Sequence, residues 1–243
     1  MNHRNWPKAI CVDLDNTLHD YSRAARIASE RTAEYIEGNF GVPKHIVASR
    51  YEQVLGAVGT SGFKTGIACR SRRFRLLLDT WPETQQLDAS HIAYEYGRQF
   101  LAAVAPNPGS LETLKAWQAE GRSVLIVTDG FADTQSAIFK CLGLSFLRRS
   151  PIVTFPLGVS KRDGSAYRLA VRMLAQDPFD IVMIGDNWDR DIVASSKCGM
   201  WQVWLSLAEP PRFSPPENFI ARVNTIKEAK LAIEETAVTA SRS

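Results

Sequence analysis

The chain has 243 residues, a formal net charge of +3 and a charged fraction of 23%, which are typical of a soluble globular protein. So small a net charge gives no argument for a nucleic-acid partner. No apolar run is long enough to span a bilayer, and the segment from Met1 to Lys8 lacks the apolar region of a signal peptide. The four cysteines lie far apart without a C-x-x-C pair, which favours a reducing compartment and no zinc site. We therefore predict a cytoplasmic protein that binds neither nucleic acid nor membrane, and we make no prediction of its oligomeric state.

A short strand near the start of the chain is followed by two carboxylates. The apolar run from Ala9 to Val12 predicts this strand, and Asp13 and Asp15 come directly after it. Alternation places both side chains on one side while the chain stays extended, where they repel each other unless a cation or a shared proton lies between them. Asp and Asn are also common turn residues, so this stretch alone is equally compatible with a solvated turn.

The segment from Asp20 to Ala105 is predicted to contain helices and no strand. Its apolar residues recur at helical spacing, and Asp88 is a candidate N-cap for the last helix. The predicted helices cover 21–37, ending before Gly38, then 43–55, 69–78 and 89–104. Four arginines at positions 70, 72, 73 and 75 could contact an anionic substrate, but charge runs usually form a solvated face, and we favour that interpretation.

From Ser110 onward, predicted helices alternate with predicted strands. The strands are Val124–Thr128, Pro151–Phe155, Asp180–Ile184 and Gln202–Leu205. The helices are 110–120, 134–142, one that runs to Leu174 with Lys161 just before or within its start, 191–197 and one that starts after a capping box at Thr225 and Glu228. Pro210–Pro216 is a predicted loop. Continuous Val, Ile and Leu runs separated by helices are typical of a parallel sheet covered on both faces. We predict an α/β fold with five parallel strands, a core domain of 1–19 and 106–243, and an inserted helical domain of 20–105.

Polar residues follow the carboxyl ends of several predicted strands. Asp13 follows the first, Thr128 ends the second, and the segment from Gly185 to Asp191 follows the fourth. In open parallel sheets the ligand crevice lies at this edge, and Lys161 could reach it from beyond the third strand. Carboxylates, a hydroxyl and a lysine together suit Mg²⁺ and a phosphoryl group. Taken singly, Thr128 is more readily explained as a turn cap and Lys161 as a solvated lysine.

Four short motifs, taken in order, resemble those of the haloacid dehalogenase superfamily of phosphohydrolases. They are Asp13-Leu-Asp15-Asn-Thr17, Val124-Leu-Ile-Val-Thr128, Lys161 and Gly185-Asp186-x₄-Asp191. The stretch from Lys161 to Tyr167 resembles the family's Lys-Pro-Asp-Pro-x-x-Phe, with both prolines absent. Family members with a helical insert after the first motif carry it as a mobile cap, and residues 20–105 are similar to such an insert. The resemblance implies a Rossmann-like core sheet with an inserted α-helical cap domain.

The resemblance also implies an activity, namely that of a Mg²⁺-dependent phosphatase acting on a small phosphorylated metabolite. Asp13 would be the nucleophile that forms an aspartyl phosphate, and Asp15 the general acid/base. Mg²⁺ would be held by the side chains of Asp13 and Asp186 and the backbone carbonyl of Asp15. Asp191 would act through a water molecule or support the other ligands.

The same resemblance assigns the phosphate-binding groups. Thr128 and Lys161 would bind phosphate, and Asp129, which stands where the family often has Asn, would contribute its backbone N–H. Trp188 either shapes the site or packs on its helix, and Asp189 is expected to be solvated. Because Asp13 and Asp186 must meet at one metal, the first strand is predicted to lie beside the fourth.

Other activities are compatible with these motifs to different degrees. A phosphomutase shares all four and stays open as an alternative. Carbon–halogen hydrolysis is disfavoured, because the dehalogenases lack an acid at the position of Asp15. A non-catalytic phosphate-sensing or protein-binding module would lack the nucleophile or a metal ligand, and none is missing. The substrate itself is not specified, and we expect residues of the 20–105 segment to select it.

Overall fold

The computed structural model describes residues 6–84, 87–206 and 214–240. The helices are α1 (Tyr21–Phe40), α2 (Lys44–Ala57), α3 (Gly66–Leu78), α4 (Ala89–Ala103), α5 (Ser110–Ala119), α6 (Ala132–Cys141), α7 (Thr154–Leu157), α8 (Ser165–Leu174), α9 (Ala194–Ser196) and α10 (Ile226–Ala240). The strands are β1 (Ala9–Val12), β2 (Ser123–Thr128), β3 (Ile152–Val153), β4 (Ile181–Gly185), β5 (Trp201–Leu205) and β6 (Phe219–Val223). None of the described helices is long and apolar enough to cross a membrane.

The contacts within the chain form two compact units. The first lies within the ranges 1–20, 106–129 and 143–243, and the second within 21–105 and 130–142. The second unit therefore contains α6 in addition to the four helices of the inserted segment.

The first unit is built on one parallel sheet with the strand order β3-β2-β1-β4-β5-β6. The predicted α/β class and the predicted pairing of the first and fourth strands are both confirmed, because β1 lies between β2 and β4 with Cys11 opposite Leu125 and Met183. Every residue of β1 and β4 is buried, so both faces of the sheet centre are covered. This double burial explains the continuous apolar runs in the sequence.

The sheet has six strands in the described part of the chain, so the prediction of five was wrong. The additional strand, β6, pairs with β5 at the edge, and only Val223 of its residues is buried. An edge strand needs no continuous apolar run, so β6 has no apolar pattern from which it could have been predicted. The third strand is shorter than predicted, because Thr154 to Leu157 turn into the short helix α7.

Several helix boundaries also differ from the prediction. The first helix continues past Gly38 to Phe40, and Gly41 with a φ of 71° takes the left-handed position after it. Lys161 lies in the turn just before α8, which begins at Ser165, and this is one of the two positions that the prediction allowed. The predicted helix 191–197 is instead a π-helical turn, Trp188–Val193, followed by α9. The predicted loop Pro210–Pro216 lies largely outside the described residues, whereas the capping box is confirmed, since Thr225 Oγ1 accepts from Glu228 N at 3.1 Å.

The second unit contains α1 to α4 and α6, and no strand occurs among its described residues. Helix α4 packs against both α1 and α3, and Asp88 caps it as predicted by accepting from Ser90 N at 2.8 Å. An aromatic cluster fills the centre, where the rings of Tyr51 and Phe74 stack with centroids 4.9 Å apart.

The arginines of α3 do not form one solvated face, contrary to the prediction. Only Arg72 is exposed, whereas the other three are half-buried. Arg75 Nη2 donates to the Leu87 carbonyl at 2.9 Å, and Arg73 Nη2 donates to the Val58 carbonyl at 2.9 Å. The run of charges along the helix therefore led to a wrong prediction, because Arg73 and Arg75 donate to backbone carbonyls outside α3 instead of facing solvent.

Candidate active site

Three carboxylates meet at the carboxyl edge of the sheet. Asp13 follows β1 and Asp186 follows the neighbouring β4, while Asp191 lies in the π-helical turn beyond β4. Each offers an oxygen that lies within 4.8 Å of the oxygens of the other two. The structure thus brings Asp13 and Asp186 together as the sequence predicted.

Lys161 lies between two of these carboxylates. Its ammonium donates to Asp13 Oδ1 and, at 2.8 Å, to Asp191 Oδ1. All three side chains are almost completely buried, so the lysine offsets charge that solvent cannot screen. The turn that holds Lys161 is closed by a hydrogen bond from Gly164 N to the Lys161 carbonyl at 2.9 Å.

The electrostatics of the cluster follow from this burial. Burial raises the pKa of Asp13 well above its usual range, while the ammonium of Lys161 opposes the rise. Burial acts to lower the pKa of Lys161, but Asp13 and Asp191 outweigh it and raise that pKa, so the lysine stays charged. Burial and the neighbouring Asp191 raise the pKa of Asp186 to about 6. The cluster has three carboxyl groups and one lysine, so burial and this shortage of positive charge together make Asp13 and Asp186 easier to protonate than usual.

Asp191 is fixed by donors on both of its oxygens. Besides Lys161, the Tyr167 hydroxyl donates to Oδ1 at 3.1 Å, and Asn187 N donates to Oδ2 at 3.0 Å. The carboxylate lies so close to Gly185 that a Cβ added there would come within 2.5 Å of Oδ2. The glycine of the Gly-Asp motif is thus required for Asp191 to occupy this position.

The turn after Asp13 places three further polar side chains. Thr17 Oγ1 donates to Asp13 Oδ2 at 3.2 Å, and Asn16 has a φ of 59° in the left-handed region. Asp15 Oδ1 lies 2.8 Å from Nε2 of His19, a histidine that is completely buried. The sequence interpretation did not identify His19 as a partner of Asp15, although a histidine four residues after an aspartate could have suggested such a contact.

Thr128 and Asp129 lie at the carboxyl end of β2, next to β1. Thr128 is buried, and its hydroxyl is 3.4 Å from the Asp129 carbonyl. The carboxylate of Asp129 accepts from Thr154 Oγ1 at 2.9 Å and from Arg190 Nη1 at 3.3 Å. The side chain of Asp129 is therefore held within the first unit by two residues that the sequence did not single out.

Two tryptophans support the backbone around Asp186. Trp188 packs edge-on against Trp204, with ring centroids 5.0 Å apart, which favours the packing interpretation of this residue. Trp204 Nε1 donates to the Asp186 carbonyl at 2.8 Å. Asp189 is exposed, as predicted for a solvated residue.

A cavity of about 450 Å³ in the first unit borders this cluster. Asp186 and Thr17 line one part of it, and Asn107, Ser206 and Asn224 line another. A small polar molecule in this cavity would lie against Asp186, so the cavity gives access to that member of the cluster.

The sequence matches the model of the haloacid dehalogenase-like hydrolase family over residues 7–199. The chain belongs to this family. Because the match extends over most of the chain and includes all four motifs, it confirms the resemblance inferred from them.

Named relatives of this haloacid dehalogenase-like hydrolase include phosphatases. The glyceraldehyde 3-phosphate phosphatase of Methanopyrus kandleri is 26% identical over 199 residues, covering 79% of this chain and 81% of the relative. The ribulose-1,5-bisphosphate 5-phosphatase of Halopiger xanaduensis is 24% identical over 232 residues, covering 93% and 95%. The solved 2-haloacid dehalogenase of Pseudomonas syringae pv. tomato DC3000 matches with a TM-score of 0.67 at 23% identity, covering 94% of this chain and 98% of that one. This structural likeness confirms the predicted fold.

Proposed function

We propose that this hydrolase is a Mg²⁺-dependent phosphatase that hydrolyses a small phosphorylated metabolite through an aspartyl-phosphate intermediate. The observation that carries the proposal is the buried Asp13 carboxylate, held beside Asp186 and Asp191, of which Asp186 lines the 450 Å³ cavity. The phosphatase names of several relatives support it. A screen of phosphorylated metabolites with Mg²⁺ tests it, because the enzyme should release inorganic phosphate from at least one. A substrate converted to an isomeric phosphate without that release would indicate a phosphomutase.

The chemical donor set fits a hard divalent cation. Mg²⁺ prefers oxygen ligands and uses few carboxylates. Among the described residues, the cluster has three carboxyl groups but only one lysine beside them, so it has oxygen ligands available for a cation. We propose that the side chains of Asp13 and Asp186 and the backbone carbonyl of Asp15 hold the ion, with Asp191 supporting them. When bound, it would supply positive charge that offsets the repulsion between an anionic nucleophile and an anionic phosphate.

In the proposed first step, Asp13 attacks phosphorus. Its oxygens accept from Lys161 and Thr17, and each keeps a further lone pair for bond formation or metal binding. The bond between phosphorus and the alcohol oxygen breaks, and Asp15 gives its proton to that oxygen. In the second step Asp15 takes a proton from water, whose oxygen attacks the aspartyl phosphate. Inorganic phosphate leaves, and the Asp13 carboxylate is regenerated.

We assign the phosphate-binding role to Thr128, to the backbone N–H of Asp129 and to Lys161. The first two lie at the end of β2, beside the strand that carries Asp13, which supports this assignment. His19 holds Asp15 by the 2.8 Å contact described above and so restricts where its carboxyl points.

Phosphate release should stop in excess chelator, and metal binding should weaken in acid. Burial raises the pKa of Asp186 to about 6, so protons compete with the metal below that pH. We expect the apparent Mg²⁺ affinity to fall as the pH decreases, by about tenfold per pH unit below 6 through Asp186 alone, and protonation of Asp13, whose pKa is also raised, adds to the fall. Tryptophan fluorescence provides the measurement, because Trp204 donates to the Asp186 carbonyl. Full turnover in chelator, or an affinity that is the same at pH 5 and 7, would contradict the metal site.

We also propose that residues 20–105 form a cap domain that closes during transfer and excludes water. The two connections to it are tied to each other, since Asn107 N donates to the Leu18 carbonyl at 2.8 Å and Asn107 Nδ2 donates to the Thr17 carbonyl at 3.0 Å. Hinges near 16–20 and 106–109 are therefore expected. Small-angle scattering should show a smaller radius of gyration with Mg²⁺ and orthovanadate than without them. Identical profiles would argue against closure.

A further inference from the structure

A second cavity lies inside the second unit, among α1, α2, α3, α4 and α6. Its volume is about 210 Å³. Its lining combines two guanidinium groups, aromatic rings and one carboxylate: Arg70, Arg73, Tyr51, Tyr96, Phe100 and Asp133. A concave, largely apolar lining with a few charged groups is typical of a small-molecule site, and two guanidinium groups favour an anionic ligand.

Arg70 has a buried donor that the protein leaves without an acceptor. Its Nη1 donates to Thr134 Oγ1 at 3.2 Å, but its Nε is buried and has no hydrogen-bond partner among residues 6–84, 87–206 and 214–240. An orphaned donor costs about 1–3 kcal/mol, so such a group indicates a water or ligand. Gly97 of α4 faces this guanidinium, and a Cβ there would lie 3.7 Å from Nη2. Because residue 97 is a glycine, the space beside the Arg70 guanidinium is not filled from α4.

The neighbouring polar groups are held in place and can donate. Arg73 is anchored because its Nε and Nη2 both donate to the Val58 carbonyl, at 3.2 and 2.9 Å. Tyr51 and Tyr96 are buried, and burial raises the pKa of both hydroxyls, so both stay protonated. The Tyr96 hydroxyl donates to the Ala25 carbonyl at 3.5 Å. Rigid, prearranged donors lose little entropy when a ligand binds.

The charge of the cavity favours an anion. Asp133 is committed to the start of α3, where it accepts from Gly66 N at 2.8 Å and from Ile67 N at 3.1 Å. The lining thus has two positive charges, on Arg70 and Arg73, and one negative charge, on Asp133, whose oxygens already accept hydrogen bonds. The volume of 210 Å³ lies below the range of about 300–1,000 Å³ that drug-sized ligands occupy, so the ligand must be a small molecule with a short carbon chain.

We propose that this cavity binds a small organic anion, in which a carboxylate or phosphate on a short hydroxylated carbon chain accepts from Arg70. Two sources carry that chemistry, namely the non-reacting anionic group of the substrate and a separate effector. The site stands on the geometry of the second unit and does not require the phosphatase activity proposed above.

Calorimetric titration of the full-length protein with a matched panel tests the proposal. The panel holds 3-phosphoglycerate and glycerol 3-phosphate, which differ in one carboxylate, together with glycerate and inorganic phosphate. We expect at least one organic anion to bind wild type and Arg72→Gln equally and Arg70→Gln at least tenfold more weakly, because a hydrogen bond to a charged group is lost. Arg72 is the matched control, since it is exposed on the same helix. No binding to wild type, or equal binding to Arg70→Gln, would overturn the site.

A second variant keeps the test valid if Arg70→Gln fails to fold. Gly97→Leu fills the cavity from α4 while keeping both arginines, and it should weaken the same anion at least tenfold. Unchanged affinity in a folded Gly97→Leu protein would also overturn the site.

Kinetics then separate the two sources of the anion. If the anion is hydrolysed, Arg70→Gln should raise its KM more than it lowers kcat, which identifies a substrate group. If the anion is not hydrolysed but changes the rate with another substrate, it is an effector. Binding without phosphate release from any compound would disprove the phosphatase proposal and leave this site intact.

Discussion

Asp13→Asn should abolish turnover and leave no covalent intermediate on the protein. An amide in place of the carboxylate cannot form the aspartyl phosphate at a useful rate, because it lacks the anionic oxygen that attacks phosphorus. Asp189→Asn is the matched control, because Asp189 is an exposed aspartate in the turn after β4, at the same edge of the sheet. This variant should keep near-normal activity.

Asp15→Asn should instead trap the intermediate. The variant keeps the nucleophile and the backbone carbonyl of residue 15, but it loses the proton donor and the base. Acid–base assistance is typically worth about 10²–10⁴-fold, so the hydrolysis step should become very slow. Aryl or acyl phosphates need little protonation of the leaving group, so they should still phosphorylate Asp13. Intact-mass measurement after incubation with Mg²⁺ should therefore find an added phosphoryl group on the Asp15 variant alone.

Two results would show that the nucleophile is wrongly assigned. One is equal phosphoryl labelling of the Asp13 and Asp15 variants, and the other is full turnover by Asp13→Asn. The geometry already distinguishes the two acids, because Asp13 is buried between Lys161 and Thr17 whereas Asp15 is half-buried beside His19.

The centre of the fold could be predicted from the sequence because burial there is complete. The residues of β1 and β4 are covered on both faces, so each strand is an uninterrupted apolar run followed at once by an aspartate. The edge strand β6 is only half-covered, and its mixture of apolar and polar residues has no such signature. The turn from Trp188 to Val193 reads as an ordinary helix start, since a π-helical turn has no distinct periodicity in one sequence.

Side-chain partners were the least predictable part of the site. The motifs correctly indicated that Asp13 and Asp186 meet, and from this the pairing of β1 with β4 was predicted. The sequence contained no sign that Lys161 bridges Asp13 and Asp191. Asp13, Lys161 and Asp191 lie in three separate loops or turns of the chain. Their separation in sequence does not predict that their side chains meet. Tyr167 was likewise known only as a motif residue before its hydroxyl was found on Asp191.

Lys161→Met should be the most damaging change apart from those at Asp13 and Asp15, the two acids proposed to be catalytic. It removes the cation between two buried carboxylates, and breaking a buried pair in this way typically costs about 3–5 kcal/mol of unfolding free energy. Activity should fall by at least about 10²-fold, because a positive group that faces developing charge is lost. Lys161→Arg keeps the charge and should lose less stability, although its larger head cannot reproduce both contacts.

The stability loss in Lys161→Met should depend on pH with a defined sign. Lys161 opposes the burial that raises the pKa of Asp13, so its removal raises that pKa further. The folded variant then binds more protons than the unfolded chain between the usual carboxyl pKa and the raised one, and its unfolding free energy falls as pH rises through that interval. Urea unfolding of wild type and variant at pH 5 and pH 8 measures this, and the gap between them should be larger at pH 8. Mg²⁺ should narrow the gap at pH 8 by replacing the missing charge. A gap that is equal at both pH values and unaffected by Mg²⁺ would mean that the lysine contributes packing and not charge.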